Sequence, residues 1–184
     1  MSEIAQRYRK VADGFTQRVR AVPKDGWDAP APCEGWVARD VVRHMVEWMP
    51  GFFLGNADVA VPEIPSVDTD PAGAWEVLST AIQGVLDDAD TASREFEMRV
   101  GRYSVERAVD RFGTDDILIH TWDLARATGL DETLDTDEVR VVLGRLQEVD
   151  EELLRGSGQF GPRVDVPEDA DDQTKLIAYT GRRP

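Results

Sequence analysis

The stretch DDILIHTWDLARATG, Asp115 to Gly129, decides the reading of the chain, because it sets a rare histidine on the inward side of an apolar helix. His120 is one of only two histidines in 184 residues, and it follows Asp116 by one helical turn. Working back, Val105, Val109, Phe112, Asp116, His120, Leu124 and Ala127 fall roughly in line from Ser104 onward, and Gly129 supplies a C-terminal stop. A kink is expected at Gly113. Side chains four apart on a helix have β-carbons about 5–6 Å apart, so an aspartate and a histidine at this spacing can act on one point.

The second histidine lies on a comparable stripe. Val37, Val41, His44 and Trp48 fall at offsets 0, 4, 7 and 11, with Val42, Met45 and Met49 widening the face until Pro50 and Gly51 stop it. Before that helix, Ile4, Tyr8, Val11, Phe15, Val19 and Val22 mark a first amphipathic helix closed by Pro23. Asp70 before Pro71 is a capped start for a helix carrying Trp75, Leu78, Ile82 and Val85 and fading near Asp90. A fifth helix follows Thr136, with Val139, Val142, Leu143, Leu146, Val149 and Leu153 inward, and DDQTKLIAYTG forms a short last helix ended by Gly181. GNADVAVPEIPSVDTD has no period and two prolines, and is expected to arch over the surface as a lid or rim. REFEMRVGRYS alternates loosely and reads as extended or as a turn. The expected architecture is all-α: an up-and-down four-helix bundle with an additional short C-terminal helix, forming one domain over residues 1–184.

The composition narrows the partners. With 21 basic against 36 acidic residues the net charge is −15, which repels nucleic acid and anionic membrane surfaces. The start MSEIAQRYRK lacks the apolar segment of a signal peptide and no apolar run reaches membrane-spanning length, so a cytoplasmic location is expected. Cys33 is the only cysteine, which excludes an intrachain disulfide and an all-cysteine zinc site. A metal would need nitrogen and oxygen ligands.

His44, Asp116 and His120 supply that set if their helices face one another, since bundle sites are built from side chains of different helices. Three protein ligands leave positions open for water or substrate, as in catalytic zinc sites. The same pattern also fits a buried Asp116–His120 ion pair with His44 as a hydrogen-bonded core residue. Periodicity does not choose between them.

APCEGWVARDVVRHMVEW, DDILIHTWDLARATG and FGPRVDVPEDADDQTKLIAYTGRRP together resemble the DinB-like superfamily, in the branch similar to the N-terminal domain of mycothiol-dependent maleylpyruvate isomerase. The resemblance covers most of the chain and rests on a Cys-x-Gly-Trp turn before a histidine-bearing helix and an acid-x-x-x-His-x-Trp-Asp-Leu-Ala-Arg segment. It implies a four-helix bundle holding a divalent metal, zinc first and nickel second, through His44, Asp116 and His120. This chain has Asp116 where the isomerase branch has glutamate, and Val37 where a capping Ser or Thr is usual. The isomerase's further C-terminal, thiol-binding domain is not expected within these residues. Metal binding is therefore the firmer implication and isomerase chemistry the weaker.

The remaining residues of interest carry simpler readings. Cys33 is expected to be a packing residue rather than a nucleophile. Asp123 could orient a ligand histidine, but a pair with Arg126 at i, i+3 is the simpler expectation. Trp48 and Trp122 could wall a pocket, although tryptophans at helical spacing are usually core. Arg39, Arg43 and Arg126 are near enough in sequence to meet an anionic substrate, and DVPEDADD is a solvated helix-start cluster. Two functions follow from an open metal site. One is a transferase or cis-trans isomerase that lowers the pKa of a small thiol such as mycothiol from about 8.5 for attack on an electrophilic substrate. The other is a metal- or ligand-binding module without turnover. A homodimer is left open.

Overall fold

Ser2 begins the first helix by accepting the Ala5 N–H on its hydroxyl at 3.1 Å. The computed structural model describes residues 2–98, 101–156 and 158–184. Helix α1 (Glu3–Ala21) buries Tyr8, Val11, Phe15 and Val19, and α2 (Ala38–Met49) buries Val41, Val42, Met45 and Met49. Val37 offers α2 no side-chain acceptor, as expected, but Asp40 Oδ2 accepts the Val37 N–H at 3.0 Å and steadies the entry. Helix α3 (Pro71–Asp87) starts on the Asp70 cap, which accepts the Gly73 N–H at 2.8 Å.

The helical path does not stop at Pro50 and Gly51. It continues through a π-turn, Pro50–Leu54, in which the Gly55 N–H reaches Pro50 O at 3.1 Å. Proline has no N–H to give the preceding turn, so a widened turn costs little there, and burying Phe53 and Leu54 completely favours it. The acidic connection that follows is irregular, as expected, and is tied down rather than free: Asp68 accepts from Arg43 at 2.8 Å, while Ala57 and Val67 are buried.

After the one-turn α4 (Ala89–Ala92), strands β1 (Glu95–Met98) and β2 (Gly101–Ser104) pair antiparallel, with Phe96 opposite Tyr103. The described residues are thus mostly helical, in keeping with the all-α expectation, with a small two-stranded hairpin added. Aromatic packing explains it: Phe96 lies edge-on to Phe52 at 5.8 Å and Tyr103 meets Phe112 at 5.4 Å. Of REFEMRVGRYS, Arg99 and Val100 lie outside the described residues.

One-turn α5 (Val105–Ala108) passes through a π-segment, Val109–Thr114, into α6 (Asp115–Thr128), which ends at Gly129 with φ +68°. Gly113 falls inside that π-segment. A β-carbon there would lie 2.8 Å from the ring of buried Phe53. Gly113→Ala should therefore destabilise by about 1–3 kcal/mol through overpacking, despite the better helix propensity of alanine. Urea unfolding would read this as a lower midpoint at unchanged slope.

Helix α7 (Thr136–Gln147) buries Val139, Val142, Leu143 and Leu146, then breaks before α8 (Glu151–Gly156). The single fifth helix expected from Thr136 to Leu153 is therefore two. Asp150 restarts the helix by accepting the Leu153 N–H at 3.0 Å, which resets its phase and leaves Leu153 57% exposed, with Leu154 inside instead. Helix α9 (Asp172–Tyr179) begins on the Asp171 cap and lies against α7. Helices α1 and α2 each contact both α3 and α6, so the apolar faces read from the sequence meet in one core. Among the described residues no helix is long and apolar enough to cross a membrane.

Candidate metal centre

Contact between α2 and α6 brings the two histidines together. The inward stripe of α2 turns His44 toward α6, where Asp116 and His120 project from successive turns. His44 Nε2 lies 3.1 Å from Asp116 Oδ2, and His120 Nε2 lies 3.5 Å from Asp116 Oδ1. One donor atom from each of the three residues falls within 4.8 Å of the others. Two imidazole nitrogens and a carboxylate form a donor set suited to zinc or a similar divalent cation.

The site is lopsided in exposure. The His120 side chain is 6% exposed, whereas those of His44 and Asp116 are 33% and 24% exposed, so one side opens to solvent. Trp36 from the Cys-x-Gly-Trp turn stacks on His120 at 5.8 Å and 12°, and its ring lies 5.3 Å from that of His44. Trp48 closes a further edge, 6.1 Å from His44. Burial raises the pKa of Asp116, but His120 and His44 outweigh it and hold the carboxyl below its usual range. The carboxylate is thus an anion near neutral pH.

Behind His120 stands Asp123, whose side chain has no exposed surface. Its Oδ2 lies 2.8 Å from His120 Nδ1, a contact bent away from the line of a straight hydrogen bond. A carboxylate against the second nitrogen of a histidine is the usual support of a metal ligand. The expected pair with Arg126 does not form. Arg126 instead forks onto Glu132 at 2.6 and 2.7 Å and lies over the Trp122 ring, while Arg182 takes both oxygens of Asp123. The physical reason is direction: Asp123 points into the core beside His120, whereas Arg126 can reach solvent and Glu132.

Cys33, His120 and Asp123 also bring donor atoms within 4.8 Å of one another. That second cluster already holds a cation, because Arg182 Nη2 lies 3.4 Å from Cys33 Sγ and 2.8 Å from Asp123 Oδ2. Burial and the Asp123 charge push the Cys33 thiol up to about 12, with Arg182 only partly opposing them. Cys33 is a protonated packing residue at neutral pH. Arg39 and Arg43 are occupied as well, Arg39 by Asp28 and Arg43 by Asp40 and Asp68. Arg182 escaped sequence reasoning because it is 59 positions from Asp123, a separation that no periodicity links.

Asp123 yields a pH prediction for chelator-treated protein. Burial acts to raise its pKa, yet His120 and Arg182 hold it at about 2. A depressed carboxylate contributes stability above its unfolded pKa of about 3.9 and loses it as pH falls through the folded value. The contribution, on the order of 2 kcal/mol, should vanish between about pH 4 and pH 2, and Asp123→Asn should flatten that limb of the stability profile. Denaturant titrations across this range would measure it.

The family model described as mycothiol maleylpyruvate isomerase N-terminal domain matches residues 8–125, and the chain belongs to that family. The match spans α1 to most of α6, and so includes His44, Asp116, His120 and Asp123. Two uncharacterized proteins of Mycobacterium tuberculosis, from strains CDC 1551 / Oshkosh and ATCC 25618 / H37Rv, are each 26% identical to it over 181 residues, covering 95% of both chains. No solved structure is significantly similar.

Proposed function

We propose that the chain is a cytoplasmic, single-domain DinB-like protein, an up-and-down four-helix bundle over residues 1–184. In this reading His44, Asp116 and His120 bind a divalent metal, zinc before nickel, for a mycothiol-dependent transferase or isomerase reaction. The observation that carries it is the approach of three donor atoms from α2 and α6 within 4.8 Å, in a member of the mycothiol maleylpyruvate isomerase N-terminal domain family. Bound there, the metal would supply a Lewis acid that favours the thiolate of a small thiol near neutral pH.

The chain's own residues set the surroundings of that chemistry. His44 and Asp116 face the solvent side, where thiol and electrophile would enter, and Trp36 and Trp48 provide apolar walls that limit water. Asp116 is held anionic by the two histidines, so it acts as a ligand and not as a proton donor. Cys33 takes no part.

A second reading, a metal- or ligand-binding module without turnover, has its own support. Arg39, Arg43 and Arg126 are each committed to acidic partners, so none stands ready to hold an anionic substrate. Cobalt-substituted protein separates the two. On the transferase reading, mycothiol changes the cobalt absorption, and conjugation of a chloro-nitroarene requires both thiol and metal and is lost in Asp116→Ala. An unchanged spectrum together with untouched electrophiles selects the module.

A further inference from the structure

Arg182, third from the end of the chain, reaches a site that the family match leaves at residue 125. Its guanidinium binds Asp123 in a fork: Nε lies 2.8 Å from Oδ1 and Nη2 lies 2.8 Å from Oδ2. The Arg182 side chain is 10% exposed, and Nη1 also reaches Thr180 O at 3.4 Å. Its backbone N–H is held by Ile177 O at 3.2 Å. The tail has little freedom just before it, because Gly181 sits at φ +88° and a β-carbon there would meet Gly161 Cα at 2.7 Å.

His120 has two restraints of different kind. Stacking by Trp36 fixes the plane of the ring but not its rotation within that plane. The Asp123 oxygen 2.8 Å from Nδ1, although off the line of a straight hydrogen bond, is the charged contact that bears on the rotation, and therefore on the direction of Nε2 toward His44 and Asp116. An unpaired carboxylate in that buried position could turn away or draw in water. The forked arginine prevents both, since it engages both oxygens at once.

We propose that Arg182 is a positioning residue for the metal centre, holding Asp123 so that His120 presents Nε2 to the ion. This rests on the reading of His44, Asp116 and His120 as ligands. It assigns to the C-terminal tail a part in a site otherwise built by α2 and α6.

The same arginine lines a cleft of about 470 Å³ with Pro30, Pro32, Arg126 and Arg183, and this gives a way to test it. Zinc affinity of the full chain would be measured by competition with a chromophoric chelator, and the site's symmetry by the visible spectrum of the cobalt form. Arg182→Ala should weaken zinc by up to about 10-fold, the lower end of the range for losing the partner of a ligand, because Asp123 itself stays in place, and should alter the cobalt spectrum. Arg182→Lys should fall between, because an ammonium keeps the charge without the fork. Millimolar methylguanidinium, entering by the cleft, should restore affinity in Arg182→Ala and leave the wild type unchanged. Wild-type affinity and spectrum in a folded Arg182→Ala overturn the proposal while leaving the metal reading intact. If Arg182→Ala does not fold by circular dichroism, Arg182→Lys decides, and an affinity equal to wild type overturns it. Wild-type protein that takes up neither zinc nor cobalt overturns both readings.

Discussion

His44→Ala and His120→Ala are each expected to reduce bound zinc from about one ion per chain to background, because removing one of three protein ligands leaves a two-ligand site. The two variants differ in what else they disturb. His120 is buried under Trp36 and against Asp123, so its loss also leaves a small cavity and strands a carboxylate. His44 is one-third exposed, so its truncation should spare the fold and makes the cleaner test. Elemental analysis of protein purified without an affinity tag would read occupancy directly. Chelation of the wild type should also lower its melting temperature, since a ligand present at a hundred times its dissociation constant stabilises by about 2.7 kcal/mol. Full metal retention by both variants would remove these histidines from the ligand set.

Asp115→Ala should cost about 1.5–3 kcal/mol in denaturant unfolding, because Arg7 and Arg145 each lose one charged hydrogen bond while keeping Asp110. Asp115 is 9% exposed and accepts from Arg7 at 2.8 Å and Arg145 at 2.9 Å, with Arg111 at 3.4 Å. Arg7 also binds Asp110 and Glu138, and Arg145 binds Asp110, so the network ties α1, the π-segment, α6 and α7 together. The lower end of the range is expected because Arg145 keeps 26% of its side chain in solvent, which softens the loss. Asp115→Asn should cost less, since the amide oxygen still accepts one guanidinium bond. Burial raises the pKa of Asp115 against the pull of Arg7 and Arg145, so its pH contribution has the opposite sign to that of Asp123. It is favourable below the unfolded pKa and is lost as pH rises through the raised folded value. A mutational loss below about 1 kcal/mol would mean that solvent already screens the network.

The network and the candidate site meet at one peptide bond. Asp115 points toward Arg7 and Arg145, while Asp116, the next residue, points toward His44 and His120. Fixing the first turn of α6 therefore fixes the carboxylate of the site. The π-segment just before it belongs to this arrangement: Arg145 reaches Asp110 within the segment and Asp115 beyond it.

The sequence by itself determined the local elements and the identity of the three converging residues. Apolar periodicity with Asp70, Gly129 and Gly181 as boundaries located the long helices, because propensity and capping act within a few residues. The rarity of histidine and its inward phase singled out His44, Asp116 and His120. Tertiary structure decided whatever depended on distant partners. Phe53 and Leu54 carried a helical path past Pro50 because the core could bury them, and Phe52 and Phe112 held an aromatic hairpin that has weak strand signal of its own. Asp123 chose Arg182 over Arg126, which lies one helical turn away, because a fully buried carboxylate needs a counter-charge inside the core, and only folding brings the tail there. Contacts within one helical turn leave a period in the sequence; a contact across 59 residues leaves none.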